Sequence, residues 1–369
     1  MSKYSVSCPR ACVAVAVGIL LGLIALTLAW VATYHPSLKP IFVPSVVPSL
    51  QSIPSWQVPV TSTSSSFVKP VTLLFVGDIM LDRNVAKRSQ TAHDLAYPFR
   101  RLPIGWFDKV DYAVANLEGP VTDKRRPPEK TIDFQFDPAV ISILKEQGID
   151  AVSQANNHTL DQGRIGAEDS RARLQAADLL VFGDQVNDGE IALANKRIGD
   201  QRIVFAGFNT TDNPLDLEAA STTLAKARIQ TDYIIVFMHW GLEYQDHPPQ
   251  AVIDQARWLI DHGADIVIGG HPHWYQGIDV YKGKPIVYSL GNFIFDQDFS
   301  KETRQGLAVK LTFKEGGIFL QPIPLQIDLS QPRIVDGHEG VSRLKSLADI
   351  SEPSLKEQIM TGEITFEGK

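Results

Sequence analysis

From residue 71 onward, short apolar runs recur along the chain, separated by polar turns or by stretches with helical spacing. They fall at 71–77, 111–116, 149–153, 202–207, 233–238, 264–269, 285–290 and 307–313. Several are apolar at consecutive rather than alternate positions, as strands covered on both faces are. Between them, Asp137-Pro138 reads as the N-cap and first residue of a helix that Gly148 ends. Residues 250–262 place Val252, Ile253, Ala256, Leu259 and Ile260 on one helical face, with Gly263 just beyond. Strands alternating with helices predict an α/β layered domain over residues 71–330. Residues 331–369 add two helical stretches, 341–348 and 353–360, and read as a helical tail.

The pattern ahead of residue 71 is different. Residues 11–32 are uncharged and apolar, long enough to cross about 30 Å of hydrocarbon. With Trp30 and Tyr34 as interfacial anchors, residues 11–34 are expected to be a transmembrane helix. Lys3 and Arg10 precede it, which predicts that residues 1–10 stay cytoplasmic and the folded domain lies outside the cell membrane. Cleavage after Thr27-Leu28-Ala29 is the rival reading, although the apolar core is longer than a signal peptide needs. Residues 35–70, with seven prolines and the run TSTSSS, read as an extended tether.

Charge sharpens this division. Residues 1–70 hold Lys3, Arg10, Lys39 and Lys69 and no acid, so the net charge of −7 becomes −11 over residues 71–369. So acidic a domain argues against nucleic acid as a partner. Both cysteines, Cys8 and Cys12, lie in the N-terminal segment, so the domain has neither disulfides nor thiolate ligands.

The candidate chemistry sits just past the ends of the apolar runs. These endings are Asp78; Asn116 and Glu118; Asn157 and His158, with Asp161 beyond; His239, with Glu243 beyond; His271-Pro272-His273; and Asn292. Singly, each has a structural reading, Asp78 as a helix cap or Asn292 as a turn residue. Together they converge, because ligands of open α/β sheets bind outside the carboxyl ends of the strands. Imidazoles, carboxylates and an Asn carbonyl suit Zn, Mn or Fe, as one ion or as a pair that activates water. The chain lacks a G-x-S-x-G nucleophile elbow, a P-loop and a credible G-x-G-x-x-G.

The stretches VGDIMLDR, ANLEGPVTD, ANNHTLDQG, MHWGLEY, GGHPHWYQG and YSLGNFIFD, in that order, resemble the successive signatures of the CapA family over residues 71–300. These are bacterial capsule-synthesis proteins associated with poly-γ-glutamate. The resemblance implies a calcineurin-like metallophosphoesterase fold, a four-layer αββα sandwich, behind an N-terminal transmembrane helix. It implies that Asp78 and His273 bind a first metal, that Asn157, His239 and His271 bind a second, and that His158 protonates a leaving group. It implies an anionic polymer or a phosphate-containing substrate, at the membrane, alongside other subunits of a capsule synthase complex. Two departures stand out. Met80 occupies the His position of the phosphoesterase Asp-x-His, and Asn116/Glu118 replace the bridging aspartate. Either the site holds a single metal, or Glu118 or Glu243 is recruited to it, or the reaction has changed. The loop TDKRRPPEKT at 122–131, with Arg125 and Arg126, reads either as a solvated surface loop or as an electrostatic clamp for a polyanion.

Overall fold

The computed structural model describes residues 69–183, 192–229 and 231–367. The expected cytoplasmic end, the anchor at 11–34 and nearly all of the tether lie outside them. Among the described residues no helix is long and apolar enough to cross a membrane.

Two mixed sheets form the domain. The first holds β1 (Val71–Ile79), β2 (Tyr112–Leu117), β3 (Ala151–Ser153) and β4 (Leu180–Phe182). The second holds β5 (Leu193–Ile198), β6 (Gln201–Asn209), β7 (Tyr233–His239), β8 (Ile266–Gly270), β9 (Ile278–Tyr281) and β10 (Lys284–Val287). The chain then returns to the first sheet with β11 (Asn292–Ile294), β12 (Gln305–Lys314), β13 (Gly317–Asp328), β14 (Gln331–Ile334) and β15 (Ile364–Glu367). The first sheet runs β14-β13-β12-β1-β2-β3-β4, with β11 beside β1 and β15 beside β13; the second runs β5-β6-β7-β8-β10-β9. The helices are α1 (Arg83–Thr91), α2 (Val140–Glu146), α3 (Gly163–Ala176), α4 (Leu217–Arg228), α5 (Gln250–Asp261), α6 (Gly337–Asp349) and α7 (Lys356–Thr361).

Alternation within the strands builds the layers. In β1, Leu73 and Phe75 face the core between the sheets, while Leu74 and Val76 enter the outer cluster that also holds Val85 of α1, Leu144 of α2 and Leu174 of α3. In β7, Ile235 and Phe237 face inward, while Ile234, Val236 and Met238 pack with Leu224 of α4 and Leu259 of α5. Both faces of these strands are therefore apolar, which is why the runs show no alternation. Helices, sheet, sheet and helices follow in four layers, as expected.

Two sequence readings need correction. Helix α2 starts at Val140 rather than Pro138, and Asp137 Oδ1 accepts from Ala139 N in the preceding turn. Residues 331–369 are not simply a helical tail. β14 and β15 both pair with β13, and Leu347, Leu355, Ile359, Ile364 and Phe366 enter the core between the sheets. The C-terminal residues thus complete the sandwich.

Candidate metal centre

Parallel strands β1, β2 and β3 of one sheet and β7 and β8 of the other end at one edge, which gathers the polar endings. Asp78 reaches it through irregular pairing. The register of β1 shifts between Val76 and Asp78 against β2, and between Asp78 and Ile79 against β11. Such bulges re-aim side chains beside active sites. The same shift explains Met80, which is fully buried in the outer apolar cluster, where its Sδ accepts from Asp82 N at 3.1 Å. Met80 is therefore packed as a core residue.

The glycine before the His-Pro-His turn makes room for Asp78. A Cβ on Gly270 would stand 2.7 Å from Asp78 Oδ1. The backbone then turns through His271 at φ 95° and His273 at φ 58°, conformations that non-glycine residues rarely adopt. The turn carries His271 N to 3.2 Å from Asp78 Oδ2, as a donor, and His273 Nδ1 to 3.5 Å from the same oxygen.

Glu118 occupies the centre. It is fully buried, and neither carboxylate oxygen has a hydrogen-bond partner among the described residues. Its Oε1 lies 3.9 Å from Nε2 of each of His158, His239 and His273. Burial pushes its carboxyl well above the usual range, and the charges of Asp78, Glu243 and Asp161 add to that, while Arg83 pulls the other way. His239, also fully buried, is held well below the ordinary imidazole range by desolvation, with His271, His273 and His158 reinforcing it. His271 falls to about 3, first through burial and then through His273. A buried acid that resists ionising beside bases that resist protonation is a donor set that a cation would suit.

Neighbouring groups fix these donors. Asn292 donates from Nδ2 to Gln297 Oε1 and Thr303 O, so its Oδ1 accepts from His273 Nδ1 at 2.9 Å. That leaves the Nε2 lone pair of His273 facing Glu118. Asn116 Nδ2 donates to Asp78 Oδ1 at 2.8 Å and lies 3.3 Å from His239 Nδ1. Asn116 is itself held by Asn156 Nδ2 at 3.1 Å, and Asn156 also donates to Leu117 O.

The expected ligands fall into two groups that meet at Glu118. Asp78, Glu118 and His273 bring one ligand atom each within 4.8 Å of one another. On the other side, Asn157 Oδ1 is 2.9 Å from His239 Nε2, and the rings of His239 and His271 are 4.8 Å apart. His271 Nδ1 is buried without a partner among the described residues. The unpartnered Glu118 oxygens and His271 nitrogen fit a divalent cation. Asp78, Glu118 and His273 would hold one ion, and Asn157, His239 and His271 another. A bound ion there would supply Lewis acidity and lower the pKa of a bound water.

His158 stands beside the centre in a separate dyad. Its Nδ1 is 2.6 Å from Asp161 Oδ2, which also accepts from Phe134 N at 2.8 Å. The Phe134 ring lies 4.2 Å from the imidazole. With Asp161 holding Nδ1–H, His158 presents Nε2 to the Glu118 side, where it can pass or receive a proton. Lys130, from the basic loop, pairs with Asp161 Oδ1 at 2.9 Å.

Other expected residues sit elsewhere. Glu243 is exposed; its charge is felt at Glu118, and it hydrogen-bonds Tyr244 beside the centre. Arg126 is engaged with the protein itself: Nε and Nη2 donate to Asp161 O and Leu160 O, and Nη1 pairs with Glu129. It braces the His158 loop. Arg125 is exposed and donates to Gln135 Oε1. Three residues were not expected. Asn156 orients Asn116. Tyr244, at φ 61°, lays its ring 6.1 Å from His273. Arg83, at φ 51°, grips Asp296 at 3.1 and 2.6 Å.

The family "Bacterial capsule synthesis protein PGA_cap" matches residues 72–297, the strands and turns that build this centre. The PGA biosynthesis protein CapA of Bacillus subtilis (strain 168) is 30% identical over 310 residues, 79% of this chain and 77% of that protein. The capsule biosynthesis protein CapA of Bacillus anthracis is 31% identical over 288 residues, covering 72% and 69% respectively. A phosphatase structure from Mycoplasma pneumoniae aligns with 73% of this chain and 92% of that chain at TM-score 0.40 and 12% identity, too distant to carry an argument. On the family match and the two Bacillus relatives, this chain belongs to the PGA_cap family of bacterial capsule synthesis proteins.

Proposed function

We propose that this protein acts in the synthesis, export or attachment of poly-γ-glutamate or a similar anionic capsule polymer, through a divalent-metal centre. The observation that carries the metal reading is Glu118, buried with two unpartnered oxygens and 3.9 Å from three imidazole Nε2 atoms. Unfilled, that arrangement leaves a desolvated acid without compensation; a cation of the Zn, Mn or Fe kind satisfies it. The polymer reading comes from the relatives, two of which are named for PGA or capsule biosynthesis. In this reading residues 11–34 anchor the chain in the cell membrane and the domain works on the extracytoplasmic side, beside other subunits of a synthase. Lys3 and Arg10 ahead of the apolar run support that orientation.

A second reading, a metal-dependent phosphoesterase, is favoured by the His158–Asp161 dyad, a proton carrier held at 2.6 Å beside the centre. One set of measurements on the full-length protein separates the readings. Elemental analysis is expected to find Zn, Mn or Fe in the wild type and little in Glu118→Gln; equal content in both would sink the metal centre. Turnover of an aryl phosphate without polymer binding would favour the phosphoesterase. Metal and polymer binding with no turnover would make this a non-catalytic subunit.

A further inference from the structure

A groove of about 390 Å³ runs beside α1, lined by Asn84, Lys87, Arg88, Thr91, Ala92 and Tyr97. No carboxylate lines it, although residues 71–369 carry a net charge of −11. Lys87 is exposed and has no ion pair among the described residues. Arg88 is held by Asp298 Oδ2 and Ser330 Oγ, both at 2.6 Å, which fixes its guanidinium in place.

The groove adjoins the metal centre through Arg83. Arg83, the first residue of α1, precedes Lys87 by four positions, about 6 Å along the helix axis. Arg83 engages Asp296 through Nε and Nη2, leaving Nη1 without a hydrogen bond among the described residues. Its guanidinium carbon stands 5.6 Å from the Phe134 ring centroid, and Phe134 packs on His158. The Arg83 charge is felt at Glu118. A line of cations thus leads from open surface to the candidate centre.

We infer that this groove binds a polycarboxylate chain, with Lys87 and Arg88 taking successive carboxylates and Arg83 presenting the next one to the metal centre. The inference rests on the polymer reading proposed above and assigns it a surface. A flexible polyanion approaching an acidic domain meets repulsion except along such a track. The pairing of Arg83 and Arg88 with Asp296 and Asp298 orients both guanidinium groups before any ligand arrives, so less side-chain freedom is lost on binding.

The test is anisotropy of fluorescent poly-γ-glutamate on the full-length protein at low and high salt. Methyl-esterified polymer serves as the uncharged control, and metal content and Tm are measured throughout. Lys87→Glu is compared with Lys226→Glu, which makes the same charge change on α4 at the opposite outer face. Lys87→Glu is expected to weaken binding roughly tenfold at low salt, with metal content and Tm unchanged. Lys226→Glu and the wild type are expected to agree, and the esterified polymer to bind neither. Wild-type binding that Lys87→Glu leaves intact, or that both substitutions weaken equally, would overturn the groove while the polymer reading stands. A wild type that binds no polymer would overturn both, with metal content still reporting on the centre.

Discussion

Asn292 Oδ1 accepts a hydrogen bond from His273 Nδ1 at 2.9 Å, and it can act only as the acceptor because its amide nitrogen donates to Gln297 and Thr303. One Asn side chain therefore fixes both the tautomer of His273 and its ring plane. Partners of this kind, one step removed from a metal, typically contribute 10–100-fold in affinity. Asn292→Leu is accordingly expected to weaken metal binding about 10–100-fold, and Asn292→Asp, which keeps the acceptor, to weaken it less. Metal titration of both variants checks this. Equal affinity in Asn292→Leu and wild type would show that the ring needs no such guide.

The buried acid and the buried imidazoles make opposite contributions to stability in the metal-free protein. His239 and His271 have depressed folded pKa values, so their stabilisation is complete above the unfolded value near 6.5 and is lost as pH falls. Glu118 has a raised folded pKa, so its contribution is complete below the unfolded value near 4.5 and is lost as pH rises. Between about pH 4.5 and 6.5 the two histidines favour higher pH and Glu118 opposes them, so acid destabilises the metal-free protein less steeply than the histidines alone would. Removing the opposing group in Glu118→Gln is expected to steepen the acid loss. Denaturant unfolding with chelator across that window decides; parallel curves for the two proteins would refute the assignment.

Much of the centre was legible because each ligand follows a run whose apolarity is easy to see. Asp78, Glu118, Asn157, His239, His271 and His273 all lie within a few residues of such runs. What was not legible depends on backbone geometry or on neighbours remote in sequence. Arg83 and Tyr244 reach the site through positive φ, which their residue types do not announce. Asn156 and Asn157 are adjacent and chemically identical, yet one orients Asn116 and the other faces His239. β13 hid behind Pro322 and Pro324, which argue against a strand, yet they pair in register with Val309 and Leu307. The short β15 completes that sheet only because α6 and α7 bring it back.

Met80 gives a test of whether the departure from Asp-x-His is a lost ligand. The side chain packs in the outer apolar cluster with Leu74, Val76 and Ile79. Met80→His would place an imidazole among those groups, so it is expected to destabilise the domain by roughly 2–4 kcal/mol, through lost packing and a desolvated polar ring. Metal stoichiometry is expected to stay unchanged. Thermal unfolding and elemental analysis of the variant check both parts, and a gain of about one further ion without loss of stability would restore the ligand reading.

The basic loop offers the last separation, between bracing and binding. Arg126 donates to Asp161 O and Leu160 O, so it ties residues 122–131 to the segment that carries His158. Its side chain is 29% exposed, whereas Arg125 is an exposed residue with a single bond to Gln135. Arg126→Ala would leave two carbonyls short of a charged donor, a loss on the order of 1–3 kcal/mol. It is also expected to loosen the dyad, because Asp161 is held from the same loop by Lys130 at 2.9 Å. Arg125→Ala removes only an exposed contact and is expected to change stability by less than about 0.5 kcal/mol. If the loop were instead the polymer clamp, Arg125→Ala would weaken poly-γ-glutamate binding while Tm stayed constant. Unfolding curves and polymer titrations on the two variants therefore distinguish the roles: a Tm loss confined to Arg126→Ala identifies a brace, and a binding loss in Arg125→Ala identifies a clamp.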